Sequence, residues 1–282
     1  KDVQNAVQPF KGAGYLTFRG YEQRMAALSA SRISKEHAAK FFKMLEGSAR
    51  PLIYAGGGVI TANAAMELRK FAKRFNIPVV TTLMGIGSMD TADELSLHML
   101  GMHGSAYANY AVEDCDFLIT VAARFDDRVA GKPAEFAPQA RAIAHIDIDA
   151  SEIGKVKAAQ WRHVGDAKTA LADLLAYGRE FPKTYGAWAD HCLELKRNHA
   201  FDYDRKSALI QPYEVIETLS ELTHGDAIIV TGVGQHQMWA AQYYRCRHPR
   251  HWITSGCMGT MGFGLPASIG AQVACPKEEV WC

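Results

Sequence analysis

The chain has 282 residues, 48% apolar and 22% charged, with 31 basic against 30 acidic side chains and a formal charge of +1. This length suits one large globular domain or two ordinary ones, and the balanced, interspersed charge excludes an electrostatic surface for nucleic acid or membrane. No apolar run reaches the roughly 18 residues that a membrane-spanning helix needs.

Six cysteines (Cys115, Cys192, Cys246, Cys257, Cys275, Cys282) are scattered without a CxxC pair. This argues against a zinc site or disulfide framework and for a reducing compartment. No secretory leader opens the chain, and the start at Lys1 without Met predicts a true N-terminus further upstream.

Residues 1–33, with Gly12, Gly14, Gly20 and a Ser-rich end, read as an irregular linker leaving an upstream domain. Ser34 caps a predicted helix over 35–47, whose Ala38, Phe41, Phe42 and Leu45 share a face. An apolar strand over 51–55 meets Gly56-Gly57-Gly58, then a helix over 62–75 with Ala65, Leu68, Ala72 and Phe75 as its buried stripe. Next come a strand over 79–82, a helix over 106–112, and strands over 116–121 and 142–148. A short helical piece over 150–154, a strand at 163–164 and a helix over 167–177 complete the series. Apolar strands alternating with helices predict an α/β fold with a doubly wound parallel sheet over 34–180, and such sheets bind ligands at strand carboxyl ends.

Pro182 and Lys183-Thr184 mark a boundary, and 181–282 reads as the first part of a second α/β unit. Its helices are predicted over 187–197 and 212–223, with strands over 227–230 and 252–254 and a strand beginning at 280. That is roughly half of what such a unit usually needs, so truncation is the expectation.

The most informative string is Ser-Gly-Cys-Met-Gly-Thr-Met-Gly-Phe-Gly-Leu-Pro at 255–266. Gly256, Gly259, Gly262 and Gly264 let backbone approach a ligand around the lone large side chain of Met261, and the alanine-rich run after Pro266 predicts a closely packed helix. Gly56–Gly58 suits a phosphate cradle, with a plain tight turn as the competing reading. Leu100–Asn109 places Met102 and His103 between glycines, which suits backbone held against an aromatic ligand; a core histidine is the alternative. Arg124-Phe125-Asp126-Asp127-Arg128 follows a strand, where arginine forks bind phosphate or carboxylate, unless the loop is only a solvated ion-pair cluster.

Asp147 and Asp149 alternate at the next strand end, as an acid meeting ribose or ribityl hydroxyls would, and Val164-Gly165-Asp166 adds another turn. Beyond the strand over 227–230, Val233-Gly234-Gln235-His236 offers donors for diphosphate oxygens. A Ser-His-Asp hydrolase is excluded because no G-x-S-x-G elbow accompanies a histidine.

Taken together, these strings resemble the large catalytic subunit of the acetolactate synthase (acetohydroxyacid synthase) family of thiamine diphosphate enzymes, over essentially the whole chain. The resemblance implies a DHS-like FAD/NAD-binding central domain followed by part of the diphosphate-binding domain, the pyrimidine-binding domain lying upstream. It implies FAD contacts from Gly56, Gly57, Gly58, Thr82, Leu83, Met84, His103, Gly104, Arg124, Asp126, Asp147, Asp149, Gly165 and Asp166. Thiamine diphosphate would meet Val233, Gly234, Gln235, His236, Gly259 and Met261, with Met261 propping it into a bent V. Met102, Asp127 and Arg128 would face the substrate channel, and the Mg2+ ligands are expected after Cys282.

The implied reaction decarboxylates pyruvate and joins the remainder to pyruvate or 2-ketobutyrate, early in branched-chain (isoleucine and valine) biosynthesis. A homodimer or homotetramer, a small regulatory subunit, and a cytoplasmic or plastid location are further implications. An arginine near the end of the first domain, the metal ligands and the C-terminal substrate cap of the family lie outside the chain, and Cys257-Met258 replaces a commoner Gly-Leu or Gly-Met. Glyoxylate carboligase or pyruvate oxidase, and a non-catalytic nucleotide-binding module, are the alternatives.

Overall fold

Strands buried on both faces carry no polar alternation, and the apolar runs of this chain build such strands. The computed structural model describes residues 20–282; the linker expectation for 1–19 lies outside the described residues. In the remainder of that linker, Tyr21–Ala30 forms a helix, α1, where irregular chain is predicted. Glu22, Gln23, Arg24, Ala26, Ala27 and Leu28 are good helix formers, and the flanking Gly and Ser residues mask them.

Helix α2 (Lys35–Glu46) starts at Ser34, whose Oγ accepts from the His37 amide at 3.2 Å. Strand β1 (Pro51–Ala55) is wholly buried. The helix predicted over 62–75 is α4 (Ala65–Phe75), which starts only after Asn63 at φ +52°, and a short helix, α3 (Gly57–Thr61), stands before it where only the glycine turn is predicted. Phe71 joins the predicted stripe of α4.

Strand β2 (Val79–Thr81) leads into a 3-10 turn over Leu83–Gly85, capped by the Thr82 hydroxyl. Strand β3 (Ser96–Met99) lies where no element is predicted; it is four residues long, and His98 adopts φ +61°. Then follow α5 (Ala106–Asp114), β4 (Phe117–Val121), the one-turn α6 (Asp127–Ala130), β5 (Ala142–Asp147), β6 (Trp161–Val164) and α7 (Ala167–Tyr177). The helical piece predicted over 150–154 is absent. The Asp149 carboxylate instead takes the Ser151 amide at 2.9 Å and hydroxyl at 2.7 Å, and this local pairing favours a turn.

The six strands pair in parallel in the order β3-β2-β1-β4-β5-β6. The chain reverses its winding between β1 and β4, so the crevice at their carboxyl ends is the topological switch point.

Helix α8 (Gly186–Asn198) packs Trp188 and Cys192, with Tyr185 just before it, into the core of this sheet, and the Trp188 indole donates to the Pro51 carbonyl at 2.9 Å. The sequence boundary at 180 leaves α8 with the second unit; composition marks the loop but not which core the helix joins. Helix α9 (Pro212–Leu222), β7 (Ile228–Thr231), α10 (Gln235–Tyr243), β8 (Trp252–Thr254), α11 (Gly264–Ala274) and β9 (Val280–Trp281) follow. No helix is predicted at α10, whose mixed polar and apolar run lacks a clean period.

These three strands form a parallel sheet in the order β8-β7-β9. Helix α11 forms as predicted, approaching the turn after β7 closely at Gly264, while its Leu265, Ile269 and Val273 are exposed in this chain.

Candidate cofactor site at the sheet ends

At the switch point the turns after β1 and β4 touch backbone to backbone. The Gly56 amide donates to the Val121 carbonyl at 3.0 Å and the Gly58 amide to the Ala122 carbonyl at 3.2 Å. A Cβ on Gly56 would fall on the Ala122 oxygen, and one on Gly58 would lie 2.6 Å from the Ala122 methyl carbon. The glycines are thus required by close approach. Gly57 faces the Met84 side chain in the turn after β2, beside Thr82 and Leu83, with 2.8 Å from its would-be Cβ to the Met84 Cβ.

Beyond β4, the buried Phe125 ring packs edge-on to Phe136 and His145, and the Tyr54 hydroxyl holds the Arg124 carbonyl at 2.8 Å. With its backbone so fixed, Arg124 pairs through Nη2 with Asp126 at 2.7 Å, and the same nitrogen lies 3.3 Å from the Cys257 sulfur. Asp126 also accepts from the Arg128 amide at 3.2 Å, opening α6, of which Asp127 is the first residue.

The Met102 amide donates to the Arg128 carbonyl at 2.9 Å, and the Arg128 guanidinium lies 3.8 Å from the Met102 sulfur. Met102, 65% exposed, and Arg128 therefore share one open spot. His103 is exposed, which removes the core-histidine alternative. Its carbonyl accepts from Gln242 of α10 at 2.8 Å. Gly104 closes the turn, its amide donating to Gly101 at 3.0 Å.

The carboxylates at β5 and β6 differ in freedom. Asp166 caps α7 through the Thr169 amide at 3.0 Å. Asp149 is engaged by Ser151, whose hydrogen bonds hold its carboxyl below the ordinary range. Asp147 is largely buried, and that desolvation raises its pKa although the Asp149 amide donates to it at 2.8 Å. The Gly165 amide completes this corner, donating to the Asp147 carbonyl at 2.9 Å. Next to it, burial lowers the His145 pKa and favours the neutral ring, with Nε2 on the Ala123 carbonyl at 3.0 Å and, among the described residues, no partner for Nδ1.

In the second unit, the turn after β7 and the loop after β8 face each other. Gly234, Gly259 and Gly262 take φ of +151°, +57° and +83°. A Cβ on Gly264 would lie 2.8 Å from the Gly232 nitrogen, and Val233 reaches within 3.4 Å of where Gly259 would carry one. Gln235 and His236 begin α10 on the exposed side, and Met261 stands 77% exposed. Gln237 has no role in the sequence argument, yet it is buried and hydrogen-bonded to Thr254. The polar run Gln235-His236-Gln237 gives no signal of which of its members turns inward.

The two units meet at these ends. Besides the contacts of Arg124 with Cys257 and of Gln242 with His103, Met84 fills the space against Gly256, and Arg69 donates to the Arg247 carbonyl at 2.8 Å. Among the described residues no group of three His, Cys, Asp or Glu side chains could hold a metal ion. No helix among them is long and apolar enough to cross a membrane.

Residues 38–174 match the family described as "Thiamine pyrophosphate enzyme, central domain", and residues 232–282 match "Thiamine pyrophosphate enzyme, C-terminal TPP binding domain". The chain is 46% identical to acetolactate synthase 1, chloroplastic, of Nicotiana tabacum, over 99% of this chain and 42% of that protein. It is 42% identical to the acetolactate synthase large subunit of Corynebacterium glutamicum, over 100% of this chain and 44% of that protein. It thus spans less than half the length of the curated relatives it matches. With both matched domains in sequence order, and the glycine turns and Met261 loop standing at the strand ends, the chain belongs to the thiamine pyrophosphate enzymes and is a homologue of the acetolactate synthase large subunit.

Proposed function

We propose that the full-length protein is an acetolactate synthase, decarboxylating pyruvate and joining the remainder to pyruvate or 2-ketobutyrate for branched-chain amino-acid synthesis. The observation that carries this is the meeting of the Arg124–Arg128 turn with the Met261 loop through Cys257. That contact puts a carboxylate-binding arginine turn beside a loop matched to a thiamine pyrophosphate domain. The bare glycine backbone of Gly232, Gly234 and Gly259 fits a diphosphate, and Gln235 and His236 supply donors beside it. Bound thiamine diphosphate would contribute the nucleophilic carbon and the electron sink for loss of CO2. Met261 supports the cofactor's bend, Arg128 holds a 2-keto-acid carboxylate, and Met102 and Asp127 line its approach.

FAD fits the first sheet, where the glycines at the switch point leave backbone bare and Asp147 lies at the next strand end. Gly56–Gly58, Thr82–Met84, His103, Gly104, Arg124 and Asp126 would line it, with Gly165 flanking. Asp149 and Asp166 would act there through backbone, since their carboxylates are engaged locally. In the same reading, the Mg2+ ligands belong to other parts of the full-length protein. An oligomer, a small regulatory subunit and a plastid or cytoplasmic location are part of the same proposal.

The test is acetolactate formation by the full-length protein supplied with pyruvate, thiamine diphosphate, Mg2+ and FAD. Oxygen uptake, or turnover of glyoxylate alone, would favour the oxidase or carboligase relatives. Flavin binding without any turnover would favour a nucleotide-binding module.

Arg124→Ala is expected to weaken flavin retention, because a planar multidentate donor is lost. Equilibrium dialysis of the full-length protein checks this, and unchanged affinity assigns the flavin surface elsewhere. Arg128→Ala is expected to lower kcat/KM for pyruvate by the equivalent of about 1.5–3 kcal/mol, the worth of a charge-assisted hydrogen bond. Thiamine diphosphate affinity should hold; equal losses for cofactor and substrate would make Arg128 a structural residue.

A further inference from the structure

We propose that Gln237 is a positioning residue that anchors the loop carrying Met261 to the start of α10 through Thr254 and Ser255. The proposal rests on the thiamine diphosphate reading of that loop. Successive helical residues turn by about 100°, so the exposed Gln235 and His236 are followed by a side chain directed inward. Gln237 is 4% exposed, in the core built from Ile229, Ala240, Ala241 and Trp252.

An amide buried there is costly unless its polar atoms are paired. Its Nε2 donates to the Thr254 hydroxyl at 2.6 Å and to the Ser255 carbonyl at 3.3 Å. The Thr254 hydroxyl also meets that of Thr231 at 2.5 Å. One side chain thereby joins the ends of β7 and β8 to the first residue of the loop. Ser255 carries the connection onward, because its Oγ accepts from the Thr260 amide at 2.8 Å, one residue before Met261. Gly259 and Gly262 flank Met261 and leave the backbone permissive, so its position depends on such anchors.

The experiment uses the full-length protein without cofactor and reads amide hydrogen exchange. Gln237→Met, close in shape but without donors, is expected to speed exchange at Thr260 about 10-fold, as the loss of one net hydrogen bond implies, while β1 and β4 keep their protection. Thr254→Val should act in the same direction, and the double variant should be no worse than Gln237→Met. With thiamine diphosphate and Mg2+ added, C2-proton exchange per bound cofactor should fall in both single variants.

Unchanged exchange at Thr260, or an equal rise across both sheets, overturns the proposal, the latter making Gln237 a general stability residue. If Gln237→Met does not fold, Thr254→Val decides by the same criterion. Failure of the wild-type protein to bind thiamine diphosphate would overturn the functional reading alone, since the exchange comparison needs no cofactor.

Discussion

Met261→Ala in the full-length protein is expected to slow C2-proton exchange of bound thiamine diphosphate by about 100-fold, the scale of loss that a misplacement of about 1 Å produces. The competing role, a methionine filling a core gap, would make truncation cost about 2–5 kcal/mol through the cavity left behind. In the structure Met261 is 77% exposed at the loop tip, so its truncation leaves no cavity within this chain. Raising the cofactor concentration should not restore the rate, because the defect is geometry and not occupancy. NMR measurement of the exchange, normalised to bound cofactor, checks this. A normal rate per bound cofactor would remove Met261 from the wedge role.

Asp116→Ala is expected to destabilise the first sheet by about 2–3 kcal/mol, since one buried hydroxyl and two partly buried amides lose a charged acceptor at once. The Asp116 carboxylate receives the Ser48 hydroxyl at 2.5 Å and the amides of Ala49 and Arg50, each at 2.9 Å, joining the turn before β1 to the start of β4. Desolvation by burial pushes its pKa up, but the hydrogen bonds from Ser48, Ala49 and Arg50 outweigh it and the net shift is downward. A carboxyl depressed in the folded state stabilises fully above its unfolded pKa of about 4, and that contribution disappears as pH falls through the folded value. Urea unfolding of wild type and variant at neutral and acid pH tests both claims. The difference between them should shrink below about pH 4, and a constant difference would locate the effect in packing.

Most of the first sheet was legible because its strands are covered on both faces. The residues of β1 then appear as an uninterrupted apolar run, β4 and β5 are broken inside only by Thr120 and His145, and the glycines after β1 announce the turn. Strand β3 was hidden for the opposite reason: it is a short edge strand whose His98 breaks the backbone pattern. In the second unit the run after Pro266 announced a helix, but its exposed Leu265, Ile269 and Val273 could not be foreseen, since helix formation is local and burial depends on what else packs.

The candidate site divides along the same line. By itself the sequence determined most of the strand and helix alternation, the glycine turns at the strand ends and the placing of Met261 among permissive residues, all consequences of neighbours within a few positions. Only the tertiary structure decided that Gln237 turns inward onto Thr254 and that Arg124 reaches Cys257, residues far apart in the chain. Whether a polar side chain is free or engaged depends on atoms brought within about 3 Å, and chain packing, not residue type, sets those distances.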